Sequence, residues 1–249
     1  MTQRELFKKG VLEQMFCLGR IAEYLGGPDY VEYVQELVEN DELLYEMENN
    51  AEAVVEWETK KFSSIFNLRV YRIALYCIVR SKQPKIYVET GVLHGLSSSF
   101  ILAAMKANGK GMLYSVDDPS YPETGVANKD GYNYLLPKGK EPGWIIPDDF
   151  RSQWVLKKAS SLTSFPSLLP ALPGVDIFCH DSEHTSRTMW YELNAVWPYI
   201  NDGGVLICDN VESCSAFYDF CRHVRRKPLI LPNMDDDEYH GVGFGIIQK

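Results

Sequence analysis

Between residues 85 and 211, short apolar segments alternate with longer amphipathic ones, and this alternation limits the fold more than any other feature of the chain. The segments KIYVETG, GMLYSVDD, WVLKKAS, GVDIFCHD and GGVLICDN are typical of buried strands. The intervening LSSSFILAAMKANG has helical apolar spacing and ends in Asn108-Gly109, as helices often do. Strands that alternate with helices form a parallel sheet covered on both faces. We therefore predict an α/β fold, with a last strand over residues 241–248.

Two parts of the chain lie outside this alternation. In the first 80 residues apolar side chains recur near helical spacing, which predicts a first helix that ends at Gly26-Gly27. Residues 36–59 are rich in Glu but interrupted by tyrosines and leucines, which favours one or two surface helices. Residues 119–150 are rich in Pro, Gly and Tyr and predict a long loop.

Composition excludes some classes of partner. The chain has 34 Asp and Glu against 25 Lys and Arg, so no basic field would attract a nucleic acid. The basic residues 222–227 are interpreted as the solvated end of a helix. No apolar run approaches the length of a membrane span, and the N-terminal MTQRELFKKG does not resemble a signal peptide. The six cysteines show no CxxC pair, which favours reduced thiols and a cytoplasmic protein.

Acidic side chains stand at the ends of four of the predicted strands: Glu89, Asp117, Asp181 and Asp209. The carboxyl ends of parallel strands lie along one edge of a sheet, so these acids should share one rim. In open α/β sheets ligands bind beyond that edge. The sequence therefore predicts a binding site there.

The segment VETGVLHGLSS has the form acid-x-Gly-x-x-x-Gly-x-Ser, with Glu89, Gly91, Gly95 and Ser97 at the marked positions. Gly91 permits a tight turn after the strand, and Gly95 lets backbone approach a ligand. The spacing does not fit the dinucleotide pattern GxGxxG. An acid without a phosphate-binding lysine suits a positively charged ligand such as S-adenosylmethionine, whose ribose hydroxyls Asp117 would bind. The alternative is a structural glycine turn with solvated acids.

Asp181 and the pair Asp209-Asn210 close two further strands. Carboxylate and amide oxygens are hard donors that suit Mg²⁺ better than Zn²⁺. A metal there would orient a substrate hydroxyl and lower its pKa. His184 follows Asp181 by three positions, and a neutral imidazole is a suitable proton acceptor.

The segment CHDSEHT also allows simpler interpretations. Asp181, Ser182 or Thr185 could serve as the N-cap of a helix that begins near Ser186. His180 is interpreted as a packed or supporting histidine rather than a ligand, and Glu183 as solvated.

The segment GVDIFCHDSEHTSRTMWYELNAVWPYINDGGVLICDNV resembles the late half of class I S-adenosylmethionine-dependent methyltransferases. The resemblance is closest to a group with a D-F-x-H-D-S-x-H core, then M-x-x-E, A-W-P, G-G-V-L and an acidic pair. The upstream GWIIPDDFRSQWVLKKASS is also similar to that group, and the resemblance covers about residues 85–211.

This resemblance implies a Rossmann-like, mostly parallel seven-stranded sheet with an antiparallel edge strand. Metal-dependent O-methyltransferases carry an Asp on one strand and an Asp-Asn or Asp-Asp pair on the next, and Asp181, Asp209 and Asn210 match those positions. His184 matches the usual proton acceptor, Asp181 would be catalytic and also contact the cofactor, and Mg²⁺ is the expected metal. The expected acceptor is a small molecule with a hydroxyl group, such as a sugar or a phenol.

We further expect two domains: an N-terminal helical lid or interface region, 1–80, and an S-adenosylmethionine-binding domain, 81–249. The N-terminal helices could pair two subunits in a homodimer. The lid could also include aromatic residues of the long loop, namely Tyr121, Tyr132, Tyr134 and Trp144. Two alternatives remain open: a catalytically silent methyltransferase-like binding module, and an NAD-dependent dehydrogenase.

Overall fold

A computed structural model of the chain describes residues 3–40, 70–119, 136, 139–232 and 243–249. Its helices are α1 (Gln3–Tyr24), α2 (Val31–Glu39), α3 (Val70–Lys82), α4 (Leu96–Asn108), α5 (Ser161–Ala171), α6 (Ser186–Val196) and α7 (Ala216–His223). Its strands are β1 (Ile86–Thr90), β2 (Met112–Asp117), β3 (Trp154–Lys158), β4 (Val175–His180), β5 (Ile200–Cys208), β6 (Leu229–Pro232) and β7 (Gly243–Gln248). Short 3₁₀ helices span Asp148–Gln153 and Trp197–Tyr199.

The strands form one seven-stranded sheet in the order β3-β2-β1-β4-β5-β7-β6. The first five strands in this order are parallel, whereas β7 runs antiparallel to both β5 and β6. The predicted Rossmann-like α/β class is confirmed. The antiparallel β7 lies one position inside the edge, because β6 covers it.

The edge strand β6 was not predicted. It is only four residues long, and Pro228 precedes it while Pro232 ends it. Proline interrupts a strand pattern, yet it is tolerated at a sheet edge, where fewer backbone donors need a partner. This strand therefore forms because it pairs with β7, and the local sequence does not predict it.

Helices cover both faces of the sheet, as the alternation predicts. One apolar cluster packs α1, α2, α3 and α4 against one face of the sheet. The other packs α5, α6 and α7 against the opposite face. Successive residues of β4 show the division: Ile177 and Cys179 belong to the first cluster and Phe178 to the second. Every residue of α3 from Val70 to Val79 except Arg72 is buried, so α3 belongs to the core of the sheet.

Some predictions fall outside the described residues. These include most of the surface helices predicted within 36–59, the first two residues of the last strand, and Tyr121, Tyr132 and Tyr134. The six cysteines are all described, and none is in a disulfide. Among the described residues, no helix has the length and apolar character needed to cross a membrane.

Candidate active site

The predicted rim exists, because β1, β4 and β5 end in register. Thr90 lies opposite His180, and His180 lies opposite Cys208. Two backbone hydrogen bonds extend this register beyond the strands: Asp181 N donates to Thr90 O at 2.9 Å, and Asp209 N donates to His180 O at 2.9 Å. The sheet itself therefore places Asp181 beside Asp209.

Gly91 allows the loop after β1 to pass against the backbone of Asp181. Its φ is +83°, and a Cβ at this position would lie 1.8 Å from Asp181 O. Gly95 has a φ of +95°, and its Cβ would lie 2.7 Å from Gly143 Cα and 2.7 Å from Ile146 Cγ1. Packing within the chain thus requires both glycines, and the approach of a ligand to Gly95 stays a prediction.

Asp117, at the end of β2, organises the same loop. Its Oδ2 accepts hydrogen bonds from Val92 N at 2.7 Å and Leu93 N at 3.0 Å. Burial raises the pKa of Asp117, and these two backbone donors lower it in part. Both bonds end on Oδ2, so neither occupies the other carboxylate oxygen. The ribose-binding role of Asp117 and the cofactor-binding role of the half-buried Ser97 remain predictions.

Glu89 is buried, with 3% of its surface exposed. Its Oε1 accepts hydrogen bonds from Ser98 Oγ and Ser115 Oγ, both at 2.6 Å. Burial raises the pKa of Glu89 to about 7, although the two serine donors lower it, and the charge of Asp117 raises it further. Glu89 thus ties β1, β2 and α4 together, and its contact with a cofactor stays a prediction.

The raised pKa predicts an unusual pH dependence of stability. Because the folded protein holds a proton on Glu89 that the unfolded chain has already lost, stability falls as pH rises between about 4.5 and 7. The variant Glu89→Gln keeps an oxygen that can accept from both serines. We expect its free energy of unfolding at pH 8 to exceed that of wild type by up to about 3 kcal/mol. Urea unfolding at pH 5 and pH 8 checks this. An equal stability difference at both pH values would contradict it.

Asp181, His184 and Asp209 form a cluster in which one ligand atom from each lies within 4.8 Å of the others. His184 Nε2 is 3.9 Å from Asp181 Oδ1. Asp209 is 3% exposed and His184 is 9% exposed, whereas Asp181 is half-buried. The predicted convergence of the two carboxylates is therefore present, with the predicted proton acceptor beside them.

Asn210 offers the oxygen that a hard cation would need. Its Oδ1 is buried and has no hydrogen-bond partner among the described residues. Its Nδ2 is 3.4 Å from both ring nitrogens of His184. The φ of Asn210 is +50°, a left-handed conformation that Asn adopts more readily than most residues. The two carboxylates and this amide fit a divalent metal, since hard oxygen donors suit Mg²⁺.

Tyr71, on α3, is a site neighbour that sequence reasoning missed. Its hydroxyl lies 2.9 Å from Cys179 Sγ and donates to Asp181 Oδ2 at 3.5 Å. Burial raises the pKa of Tyr71 well above its ordinary value, and the charge of Asp181 raises it further. A tyrosine within a helical apolar pattern gave no signal of this role. The contact brings the N-terminal region to the rim of the sheet.

The structure decides between the simpler interpretations of CHDSEHT. Thr185 is the N-cap of α6, because its side chain accepts from Thr188 N at 3.3 Å. His180 is fully buried and packed, as predicted, with Nδ1 2.6 Å from Glu192 Oε2. Glu183 is half-buried and accepts from Thr188 Oγ1 at 2.9 Å, so it is less solvated than predicted.

Trp144 is fixed against the glycine loop. Its Nε1 donates to His94 Nδ1 at 2.8 Å, and Gly143 N donates to Leu93 O at 2.8 Å. The ring of Trp144 also lies edge-on to that of His94, with centroids 5.9 Å apart. This part of the loop after β2 therefore covers the turn that follows β1.

Comparison with known proteins identifies the family to which this domain belongs. Residues 88–211, about half of the chain, match the family model described as a methyltransferase domain. The chain belongs to the class I S-adenosylmethionine-dependent methyltransferases. The matched segment begins within β1 and ends just after Asn210, so this methyltransferase domain includes both the glycine loop and the Asp-His-Asp cluster.

Solved structures share the fold of this methyltransferase at low identity. One is an O-methyltransferase from Bacillus cereus in complex with S-adenosylhomocysteine (SAH), which is 16% identical to this chain, with a TM-score of 0.60. The alignment covers 88% of this chain and 96% of the Bacillus cereus chain. The O-methyltransferase TomG from Streptomyces achromogenes, involved in tomaymycin synthesis and solved with S-adenosylmethionine (SAM), is 13% identical, with a TM-score of 0.56, and covers 82% and 88%. Among curated proteins, no match is found.

Proposed function

We propose that this methyltransferase transfers a methyl group from SAM to a hydroxyl of a small molecule, with the assistance of a divalent metal. The observation that carries the proposal is the convergence of Asp181 and Asp209 at the ends of β4 and β5. Asn210 follows Asp209 directly, and its Oδ1 is buried without a hydrogen-bond partner among the described residues. A sugar, a phenol or a related natural product would be the acceptor. Two structural neighbours, both O-methyltransferases, were solved with SAH or SAM, which supports the donor.

Asp181, Asp209 and Asn210 would hold the metal, and Mg²⁺ is the best candidate. When bound, the metal would orient the acceptor hydroxyl and lower its pKa. The low exposure of Asp209 and His184 keeps water away from one side of the cluster. Exclusion of water favours methyl transfer, because charge is lost when an oxygen anion attacks a sulfonium.

The donor would lie on the loop that follows β1, in contact with Gly91, Gly95, Ser97 and Asp117, and with Asp181 at the junction to the metal. Gly91 and Asp181 are already in van der Waals proximity through their backbones. A donor seated there would stand next to the cluster. Positioning of this kind can be worth about 7–11 kcal/mol of the activation barrier.

His184 would accept the proton of the acceptor hydroxyl. Its Nε2 lies 3.9 Å from Asp181 Oδ1, close enough for that carboxylate to stabilise the ring once it is protonated. The side chain is largely buried, so its approach to the acceptor is restricted to the cluster side. Asn210 Nδ2, at 3.4 Å, limits the rotation of the ring.

The role of His184 gives a direct prediction. We expect His184→Ala to lower kcat by about 10²–10⁴-fold, the range typical of a lost general base. SAH binding, measured by calorimetry, should stay close to that of wild type, because the histidine is not assigned to the donor. His223→Ala, on α7, is the control. A His184→Ala enzyme with wild-type kcat would contradict the assignment.

The N-terminal region is proposed to act as a lid or interface on the acceptor side. Tyr71 places this region at the site, since the core helix α3 delivers its hydroxyl to Asp181, and the lid itself would be the helices before α3. A second contact joins α1 to the C-terminal part of the chain, where Tyr24 donates to the carbonyl of Lys227 at 2.7 Å. The N-terminal helices therefore contact both the rim at Asp181 and the segment that precedes β6.

The proposed function is tested by methyl transfer from isotopically labelled SAM to a panel of polyhydroxylated and phenolic acceptors. Each reaction is run with Mg²⁺ and with a chelator. We expect at least one acceptor to be methylated on oxygen, with activity lost in chelator and restored by added Mg²⁺. Transfer that persists in chelator would contradict metal assistance. SAM binding without any transfer would favour the catalytically silent module.

A further inference from the structure

A buried carboxylate on α6, that of Glu192, connects the elements that surround the site. Glu192 is 1% exposed. Its Oε2 accepts from Thr90 Oγ1 at 2.6 Å, His180 Nδ1 at 2.6 Å and Ser182 Oγ at 3.1 Å, and its Oε1 accepts from Ser182 Oγ at 3.0 Å. Ser161, the first residue of α5, also lies near this carboxylate and lowers its pKa. One side chain therefore binds β1, β4 and the loop after β4, and it lies near the start of α5.

These donors keep Glu192 ionised. Burial alone would raise its pKa, but His180 and the hydroxyls of Ser161 and Thr90 together lower it below its ordinary value. An ionised carboxylate only accepts hydrogen bonds, so Nδ1 of His180 must carry a hydrogen. The bond to Glu192 therefore fixes the tautomer and the orientation of the His180 ring.

The two residues that flank Asp181 are both tied to Glu192. His180 precedes Asp181 and Ser182 follows it, so the backbone of Asp181 is held from both sides. The ring of His180 also lies edge-on to that of His184, with centroids 5.6 Å apart and an interplanar angle of 87°. Through His180 and Ser182, the Glu192 carboxylate thus acts on both Asp181 and His184.

We infer that Glu192 is a positioning residue that sets the geometry of Asp181 and His184 through His180 and Ser182. The inference rests on the proposed function, in which Asp181 holds the metal and His184 accepts the proton. A hydrogen-bond partner of this kind, placed behind the ligands, commonly changes metal affinity or activity by 10–100-fold when it is removed. Removal of a carboxylate with a purely structural role would lower the stability of the protein and change neither metal affinity nor kcat.

Three variants separate these two roles. Glu192→Gln removes the charge and one acceptor oxygen but keeps the shape of the side chain. Ser182→Ala removes only the tie to the loop. Ser161→Ala changes only the neighbour of Glu192 on α5, which belongs neither to the loop after β4 nor to the Asp-His-Asp cluster, and it is the matched control. For each protein, three properties are measured: the melting temperature, Mn²⁺ affinity by electron paramagnetic resonance, and kcat and KM.

We expect Glu192→Gln and Ser182→Ala to weaken Mn²⁺ binding and to lower kcat by about 10–100-fold, while KM for SAM stays close to wild type. Ser161→Ala should lower the melting temperature without these changes. Equal effects of Ser161→Ala and Ser182→Ala on kcat would overturn the inference. So would a wild-type kcat in Ser182→Ala, a variant that keeps the charge of Glu192 and the bond to His180.

A second readout distinguishes failure of the inference from failure of the proposed function. The chain has five histidines, so ring ¹⁵N signals can be assigned in histidine-labelled protein. We expect the His184 signals to shift in Glu192→Gln and to stay unchanged in Ser161→Ala, whether or not metal binds. Unchanged His184 signals in Glu192→Gln would overturn the positioning role. Wild-type protein without Mn²⁺ affinity or methyl transfer would instead overturn the proposed function.

Discussion

Replacement of Asp209 by asparagine is expected to lower methyl transfer by about 10³-fold. Metal assistance contributes several kcal/mol to charge stabilisation, and about 4 kcal/mol corresponds to that factor. The introduced amide would keep the size of the side chain but lose the charge that balances a divalent cation. The measurement is kcat/KM for the best acceptor at saturating Mg²⁺, together with Mn²⁺ affinity.

Asp202→Asn is the matched control, because Asp202 lies on the same strand, β5, at its exposed opposite end. It should leave both quantities unchanged. Stability provides a second check. Asp181 and Asp209 repel each other when no cation lies between them, so the metal-free Asp209→Asn protein should be at least as stable as wild type. A variant that is destabilised yet fully active would contradict a metal-binding role for Asp209.

Gly91→Ala is expected to destabilise the protein by about 2 to 5 kcal/mol. The left-handed backbone conformation costs an L-residue roughly 1–2 kcal/mol, and overpacking typically adds 1–3 kcal/mol. The added Cβ would meet Asp181 O at 1.8 Å, and a backbone atom cannot rotate away. Because the strain falls on Asp181, metal affinity should fall as well. Denaturant unfolding and Mn²⁺ titration measure the two effects.

Gly109→Ala separates packing from backbone conformation. Gly109 ends α4 with a φ of +66°, close to that of Gly91, but nothing lies within 4 Å of a Cβ built there. This control should lose only about 1 kcal/mol and should bind Mn²⁺ normally. If Gly91→Ala were no less stable than Gly109→Ala, the contact between the glycine loop and Asp181 would not constrain the site.

The sequence was sufficient to predict the α/β sheet and the rim, because both follow from local periodicity and from strand ends. Glu89, Asp117, Asp181 and Asp209 were placed at strand ends by the apolar runs that precede them. The edge strand β6 escaped prediction, since it depends on pairing with β7. The order of β7 and β6 in the sheet is likewise a tertiary property that no local pattern carries.

Within the site, the parts that depend on folding were the ones missed. Tyr71 reaches Asp181 only because α3 packs on the sheet, 110 positions away in the chain. The several hydrogen bonds of Glu192 were hidden for the same reason, although its segment belongs to the motif that carries the family resemblance. Gly95 was expected to make room for a ligand, which stays a prediction, and the structure adds a packing reason for glycine, because Gly143 and Ile146 occupy the space that a Cβ would need.

The central claim is that Asp181, Asp209 and Asn210 hold one divalent cation beside the methyl donor. The most direct test is a crystal grown with SAH and Mn²⁺, measured at a wavelength where manganese scatters anomalously. We predict one anomalous peak about 2 Å from oxygens of all three side chains, next to SAH on the loop that contains Gly91. Bound SAH without such a peak, or with the three oxygens turned apart, would contradict the claim.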